Sequence, residues 1–243
     1  MTIICNSRRF IFVHLHKCGG TSVRQAIRTQ MRWNDLIIGG NKNDNLLESI
    51  YRRRYALEKH NSASQLQGIV GDEVWRDYWT FALVRHPASI MESFYYWSIK
   101  VLNALAGRKQ LSFSETVSRI RAGELEDEVL SWGAVNAYCQ TDGFTEFIDY
   151  ALQKNCLGFG KTLSERLTDA DGRLVDDTFQ LEQVAYFEQT FSECTGIPIK
   201  LGQHNRSQER ESRWNKELLE RIWQRYREDY QRFGYDKQPP ITQ

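Results

Sequence analysis

The sequence of 243 residues lacks the usual signs of a membrane span, a metal centre or a disulfide framework. A span needs about 18 to 20 apolar residues in a row, and no stretch approaches that length. The five cysteines are odd in number and no two have metal-ligand spacing, so neither a zinc site nor a disulfide framework is indicated. A net charge of +1 gives no overall attraction to nucleic acid or membrane.

Glycine is missing ahead of Gly19, which excludes a Walker loop near the N-terminus, because that loop needs an earlier glycine. A later tripeptide, Gly160-Lys161-Thr162, is a decoy, since Asn155 stands where the first glycine should be. Acidic residues are absent from residues 1–34, which contain six lysines and arginines. The N-terminal region is therefore positively charged.

The most informative segment is residues 10–22, which read FIFVHLHKCGGTS. Its apolar residues up to Leu15 predict a central strand buried on both faces. Gly19 and Gly20 allow a sharp turn whose N–H groups approach an anion, and Lys17 adds a positive charge beside it. This order favours a phosphate-binding turn. The alternative is a simple strand-to-helix turn with an exposed lysine.

A helix is predicted directly after this turn. Thr21 or Ser22 can cap a helix from Val23 to about Thr29, whose first N–H groups also point at the anion.

A second segment supports the phosphate interpretation. Residues 79–84 read as another apolar strand, and Arg85 and Pro87 follow it. Pro87 suits the first turn of a helix, which would carry Ser93 about two turns in. A ligand outside the strand's carboxyl end could reach both Arg85 and Ser93. The alternatives are a surface salt bridge for Arg85 and an ordinary helix serine.

Together these segments resemble the sulfotransferases that use 3′-phosphoadenosine 5′-phosphosulfate (PAPS), within them the carbohydrate-type bacterial and Golgi group. In that family a Phe-Val-His-x-x-Lys-Thr-Gly-Gly-Thr-Ser turn binds the 5′-phosphosulfate. An Arg-x-Pro turn and a later serine bind the 3′-phosphate. The matching residues are Phe12, Val13, His14, Lys17, Gly19, Gly20, Thr21 and Ser22, then Arg85, Pro87 and Ser93. Further matches are His60-Asn61-Ser62-Ala63, His204-Asn205-Arg206-Ser207 and the segment from Tyr226 to Tyr235.

The resemblance implies one sulfotransferase domain over residues 1–243, with an α/β, P-loop-like fold and a short parallel β-sheet flanked by many helices. It implies PAPS as cofactor, adenosine 3′,5′-bisphosphate as product and no metal. The acceptor would be a hydroxyl group, most simply of a carbohydrate or glycoconjugate. The residues that it assigns to the cofactor are Lys17, Cys18, Gly19, Gly20, Thr21, Ser22, Arg85 and Ser93.

Some positions depart from the family pattern. His16 stands in place of the usual proline, Cys18 in place of threonine, and His86 in place of asparagine or aspartate. Glu182 fits a strand that ends in Arg-x-Glu, but Gln180 replaces the arginine. The charged and hydroxyl residues of both ligand motifs are retained.

The resemblance gives Lys17 the catalytic role of neutralising charge on the leaving group. A hydroxyl acceptor also needs a base, for which histidine is the usual choice. The candidates are His14, His16, His60, His86 and His204. The resemblance favours His60, because it lies ahead of the second strand, where related enzymes often carry their base. The alternative is a helix-entry histidine that holds the Asn61-Ser62 turn. His16 ranks next, followed by Glu182.

Two other functions compete with this assignment. A kinase using ATP or GTP would need a metal-binding aspartate at a strand end and magnesium. A catalytically degenerate nucleotide-binding protein would retain the turn without the chemistry. Because the first strand begins near residue 9, neither a signal peptide nor a Golgi-type anchor is expected, and the predicted location is the cytoplasm.

The remaining elements follow from apolar periodicity. Helices are predicted over 45–58, 111–121, 132–153 with a break at Gly143, 184–195 ending at Gly196, and 214–233 ending at Gly234. Residues 163–177 read as a surface hairpin or loop, and residues 178–181 as a strand.

Overall fold

The computed structural model describes residues 2–39, 42–154, 160–202 and 213–239, without the side chains of residues 42–47. The chain forms two compact units. The first contains the described parts of Met1–His86, Lys161–Arg206 and Gln231–Gly234, and the second those of Pro87–Gly160, Ser207–Tyr230 and Tyr235–Gln243. A single domain over residues 1–243 stays a prediction.

A five-stranded sheet forms the centre of the first unit. Its strands are β1 (Thr2–Cys5), β2 (Phe10–Phe12), β3 (Leu36–Ile38), β4 (Trp79–Val84) and β5 (Asp177–Gln180). The order across the sheet is β3-β1-β2-β4-β5. β2 pairs parallel with β4, and β4 pairs parallel with β5. The carboxyl ends of these three strands therefore lie at one edge, where open α/β sheets bind ligands.

The prediction of a parallel sheet is right for these three strands and wrong for the other two. β1 pairs antiparallel with both β2 and β3. Both extra strands are only a few residues long, so they carry little apolar periodicity to reveal them. The strand predicted up to Leu15 ends at Phe12, although residues 13–15 stay buried.

Helices surround the sheet and make up the second unit. In chain order they are α1 (Gly20–Ile27), α2 (Lys42–Tyr55), α3 (Ala63–Val70), α4 (Asp72–Asp77), α5 (Pro87–Lys109), α6 (Phe113–Arg121), α7 (Gly133–Cys139), α8 (Phe144–Lys154), α9 (Leu163–Leu167), α10 (Val184–Thr195), α11 (Lys216–Arg225) and α12 (Arg227–Arg232). Of the described helices, none is long and apolar enough to cross a membrane.

Phenylalanines join α10 to the sheet in the first unit. Phe191 contacts Phe10 of β2 with ring centroids 5.4 Å apart, and Phe187 contacts Phe81 of β4 at 5.8 Å. Each of these rings is buried, and burial of such a side chain contributes about 1.5–3 kcal/mol. This core fixes the strands whose carboxyl ends carry the candidate site.

The second unit has its own apolar core. Its fully buried members are Leu102, Leu105, Val129, Val135 and Cys139. The apolar residues of the helix predicted over 214–233 form a stripe that is buried as well, at Leu218, Leu219, Ile222, Tyr226 and Tyr230. The stripe is therefore packing surface.

Several predicted boundaries are confirmed. α5 begins at Pro87, α6 ends at Arg121, and α10 ends at Gly196, whose φ of 67° is left-handed. Gly143, with φ of 108°, separates α7 from α8.

Two predicted elements differ from the structure. Residues 163–177 contain the helix α9 before a short hairpin closed by the bridge between Thr168 and Leu174. The helix predicted over 214–233 is divided at Tyr226, whose backbone leaves the helical region. The spacing of apolar residues does not predict this break, because the apolar stripe continues from α11 into α12.

Candidate active site

A turn of residues 13–19 connects β2 to α1 at the carboxyl end of the strand. The Val13 N–H donates to the Phe81 carbonyl at 2.9 Å, which continues the pairing with β4 and anchors the turn. Lys17 has φ of 63° and Gly19 has φ of 75°, both left-handed. The left-handed backbone conformation costs a lysine about 1–3 kcal/mol, and residues strained in this way are concentrated at functional sites.

The helix start differs from the predicted one. α1 begins at Gly20 with Gly19 as its N-cap and no side-chain cap, so the predicted capping by Thr21 or Ser22 is wrong. Both hydroxyl residues lie inside the first turn, and the Ser22 hydroxyl donates to the Gly202 carbonyl at 3.1 Å. The first amides of a helix have no intrahelical acceptor, so Gly20 and Thr21 form its positive end. Helices bind phosphate at such ends.

The turn is packed closely on its inner side. A Cβ atom added to Gly20 would coincide with the imidazole of His14, and one added to Gly19 would lie 2.7 Å from Leu181 Cδ1. Cys18 is fully buried and its thiol donates to the His16 carbonyl at 3.3 Å. The inner side of the turn therefore has room only for small residues, which here are two glycines and a cysteine.

Three histidines stack beneath this turn. The His60 ring lies between two others, with centroids 3.6 Å from His16 and 4.4 Å from His14. The planes are tilted by 25° and 29°, so the rings meet face to face. His60 Nδ1 lies 3.2 Å from the His14 carbonyl, which can only accept; Nδ1 therefore carries the hydrogen and Nε2 keeps its lone pair. We call these three residues the histidine stack.

The His60 ring is not what holds the turn that precedes α3. The Asn61 side chain accepts from the Glu58 N–H and donates to the Ala56 carbonyl at 3.1 Å. Ser62 caps α3 in a capping box with Gln65. These neighbours hold the backbone, and the His60 ring instead stacks on the rings of His14 and His16 in the turn of residues 13–19.

Burial and positive charge keep the histidine stack neutral. Burial lowers the pKa of His16 to about 4, and the charges of Arg166, Lys59 and Lys17 act in the same direction. Burial lowers the pKa of His14 well below its usual value, helped by Lys59. The pKa of His60 is also lowered, by burial and then by its two neighbours in the stack. A neutral imidazole is the form that accepts a proton.

Arg85 and Glu182 lie at the ends of the other two parallel strands. Arg85 Nη1 donates to the Lys17 carbonyl at 3.4 Å, a long bond that places the guanidinium beside the turn of residues 13–19. The His86 N–H donates to Glu182 Oε1 at 3.0 Å, so this carboxylate links the loops after β4 and β5. Gln180 donates to the Phe233 carbonyl at 2.6 Å.

Ser93 and His204 remain predicted site residues. Ser93 is half-buried in α5 of the second unit, and its partnership with Arg85 stays a prediction. His204 lies outside the described residues, as does Asn155.

The decoy Gly160-Lys161-Thr162 has a structural role. The Thr162 hydroxyl accepts from the Glu165 N–H at 3.1 Å, and the Glu165 carboxylate accepts from the Thr162 N–H at 2.6 Å. This reciprocal pair is a capping box that starts α9.

Arg166 and Lys59 are the site residues that sequence reasoning missed. Arg166 follows in α9, is half-buried and acts electrostatically on His16. The hairpin after α9 is fixed to α3, since Gln67 accepts from the Ala170 N–H at 2.7 Å and donates to Asp171 at 3.2 Å. The pattern Thr162-x-x-Glu165 is the signal that could have revealed α9 and hence Arg166.

Cations and neutral bases therefore dominate this edge of the sheet. Lys17, Lys59, Arg85 and Arg166 bring positive charge, and a helix N-terminus adds to it. The described residues contain no group of three or more His, Cys, Asp or Glu side chains that could hold a metal ion. Such a site is suited to a polyanion and to the removal of a proton beside it.

Comparison with known proteins agrees with this chemistry. A model of the sulfotransferase family matches residues 1–236, a range that includes both ligand motifs and the histidine stack. No curated protein and no solved structure gives a significant match. Transfer of a sulfuryl group between two oxygens calls for positive charge near the leaving oxygen and for a group that accepts a proton. The chain belongs to the sulfotransferase family and is a transferase that delivers sulfuryl groups to hydroxyl-bearing acceptors.

Proposed function

We propose that the protein transfers a sulfuryl group from PAPS to a hydroxyl group of a carbohydrate or glycoconjugate. The observation that carries this proposal is the meeting of the glycine turn, Arg85 and His60 at the carboxyl edge of the parallel strands. A phosphate-binding turn in a P-loop-like arrangement explains the left-handed Lys17 and Gly19.

The turn would bind the 5′-phosphosulfate. The amides of residues 19–22, with Cys18 as the buried base of the turn, would surround the 5′-phosphate, and Lys17 would neutralise charge on the leaving oxygen. The Thr21 hydroxyl would be an additional donor, and the Ser22 hydroxyl would become one by exchanging the Gly202 carbonyl for the phosphate. Arg85 and Ser93 would bind the 3′-phosphate and so set the register of the nucleotide.

His60 would act as the general base. Its Nδ1 is engaged by the His14 carbonyl, which leaves Nε2 to receive the proton of the acceptor hydroxyl. The lowered pKa ensures the neutral form before the donor binds. A nearby anionic donor favours the imidazolium, so its binding would raise this pKa toward the working range.

Replacing His60 by asparagine tests the base. We expect kcat to fall about 10²- to 10⁴-fold, the usual contribution of a positioned general base, with little change in the KM for PAPS. The asparagine amide can still donate to the His14 carbonyl, so the turn should survive. The measurement is steady-state sulfuryl transfer, with thermal unfolding as the control for folding. Full activity in this variant would eliminate His60 as the base.

Replacing Arg85 by alanine tests the donor site. We expect the affinity for adenosine 3′,5′-bisphosphate to fall about 10- to 100-fold, because a hydrogen bond to a charged group contributes about 1.5–3 kcal/mol. Calorimetry without magnesium would compare the bisphosphate with 5′-AMP and ATP. The matched control is Arg173→Ala, an exposed arginine of the same unit, which should change nothing.

Two results would contradict the proposal. One is equal or better binding of ATP, above all with magnesium restored, which would favour the kinase alternative. The other is undiminished bisphosphate binding by Arg85→Ala.

The acceptor is assigned by class only. Of the aromatic run of residues 94–97, Phe94 and Tyr95 are buried, as expected for core, and the other two are half-buried. Trp97 stacks on the exposed Trp132 with centroids 5.5 Å apart. Both lie in the second unit, and this pair is a surface on which a sugar ring could stack. A panel of glycans and phenols with labelled PAPS would identify the acceptor.

A further inference from the structure

The histidine stack has a property that a lone catalytic histidine lacks. Its three rings lie 3.6 Å and 4.4 Å apart, face to face; His14 is buried, and His16 and His60 are half-buried. A second proton placed on a neighbouring ring would meet the first at this distance, and like charges so close disfavour each other strongly. The stack therefore titrates as one group that holds a single proton.

The stack also connects directly to the anion-binding turn. The His14 ring occupies the space that a Cβ of Gly20 would need, so it lies against the first residue of α1. His14 and His16 both come shortly before the turn residue Lys17 in the chain, and each ring stacks on the His60 ring. An anion at the start of α1 would thus lie close to whichever ring carries the proton.

The charges around the stack are mostly positive. Lys17 lies in the turn, Lys59 precedes His60, and Arg166 comes from α9; all three oppose a proton on the stack. Arg85 lies at the end of β4 and the exposed Glu182 carboxylate at the end of β5. The Glu182 carboxylate accepts from the His86 N–H. The Glu48 carboxylate accepts from the Lys59 N–H at 3.3 Å. A bound polyanion would offset the cations and allow the stack to hold a proton.

We propose that the histidine stack holds the single proton released by the transfer reaction, so that departure of adenosine 3′,5′-bisphosphate is coupled to loss of that proton. This inference rests on the proposed function. The acceptor oxygen forms a bond to sulfur while its proton passes to His60 Nε2. The bond from sulfur to the 5′-phosphate oxygen breaks, and its electron pair stays on that oxygen. His14 and His16 are positioning residues, which hold the His60 ring in place.

The direction in which pH changes the bisphosphate affinity follows from a comparison of the free protein with its bisphosphate complex. A bound anion raises the pKa of the stack above its value in the free protein, so the bisphosphate complex takes up a proton. The bisphosphate should therefore bind more tightly as pH falls, up to tenfold per pH unit, from the raised pKa of the complex down to the pKa of the free stack. Raising the pH should speed product release.

Calorimetry in two buffers of different ionisation heat measures this proton directly. At about pH 6.5, close to the second phosphate pKa of about 6, protonation of the ligand itself contributes equally to every variant. We expect wild type to take up more protons than His60→Asn. The matched control, Arg173→Ala, replaces an exposed arginine of the same unit and should bind the bisphosphate and take up protons as wild type does.

A second measurement uses wild type alone and so does not depend on a variant that folds. NMR titration of the histidine ring signals should show one pKa of the stack raised when the bisphosphate is added. Equal proton uptake by wild type and His60→Asn, or ring titrations unaffected by the bisphosphate, overturns the coupling. If wild type does not bind the bisphosphate at all, the proposed function itself is refuted, and the coupling with it.

Discussion

Replacing Lys17 by alanine is expected to lower kcat by about 10²- to 10³-fold, while bisphosphate affinity falls by less than about tenfold. The reason is that charge on the leaving oxygen develops mainly in the transition state, where a fixed cation stabilises it most. Steady-state transfer and calorimetric binding of the product measure the two effects separately. Unchanged turnover would refute the catalytic role of Lys17.

Lys161 supplies the matched control for this prediction. It belongs to the Gly160-Lys161-Thr162 decoy, is exposed and lies in the same unit, so Lys161→Ala should leave kcat unchanged. Lys17 has a left-handed backbone conformation, which asparagine tolerates better than alanine does. Lys17→Asn is therefore a useful second variant that removes the charge with less backbone strain. Loss of activity in both Lys17 variants with normal unfolding would assign the effect to the missing charge.

Replacing Gly20 by alanine is expected to abolish activity and to lower the free energy of unfolding by about 1–3 kcal/mol, the usual cost of overpacking. The new methyl group would occupy the position of the His14 ring. Moving that ring disturbs its stacking on His60 and the bond from Nδ1 to the His14 carbonyl. The requirement for glycine here comes from space, because Gly20 is a helical residue without a positive φ.

The same substitution at Gly68 is expected to change the free energy of unfolding in the opposite direction. It lies within α3 of the same unit, and a Cβ at this position would meet nothing within 4 Å. Gly68→Ala should raise the free energy of unfolding by about 0.5–1 kcal/mol, because alanine favours the helix. Denaturant unfolding of both variants gives the comparison. A Gly20→Ala protein as stable as Gly68→Ala would show that the His14 ring can move without cost.

The parts of the site that are continuous in the chain could be predicted well. Apolar runs marked β2 and β4, and Arg85 with Pro87 marked the end of β4 and the start of α5. Strong local signals of this kind need few contacts from elsewhere. The cap of α1 could not be predicted in the same way. Thr21 and Ser22 are good capping residues, but the left-handed Gly19 starts the helix earlier.

The sequence by itself determined the order of chemical groups: strand, lysine, glycines and helix, then strand, arginine and proline. The sequence also determined which family the chain belongs to, because the family model matches the sequence itself over residues 1–236. Only the tertiary structure decided which histidines share a site. His14 and His60 are 46 positions apart, and their contact depends on packing of α3 beside the turn. The position of Arg166 near His16 is likewise visible only in the structure. Composition alone predicts a loop for this segment, whereas the capping box starts the helix α9, which carries Arg166.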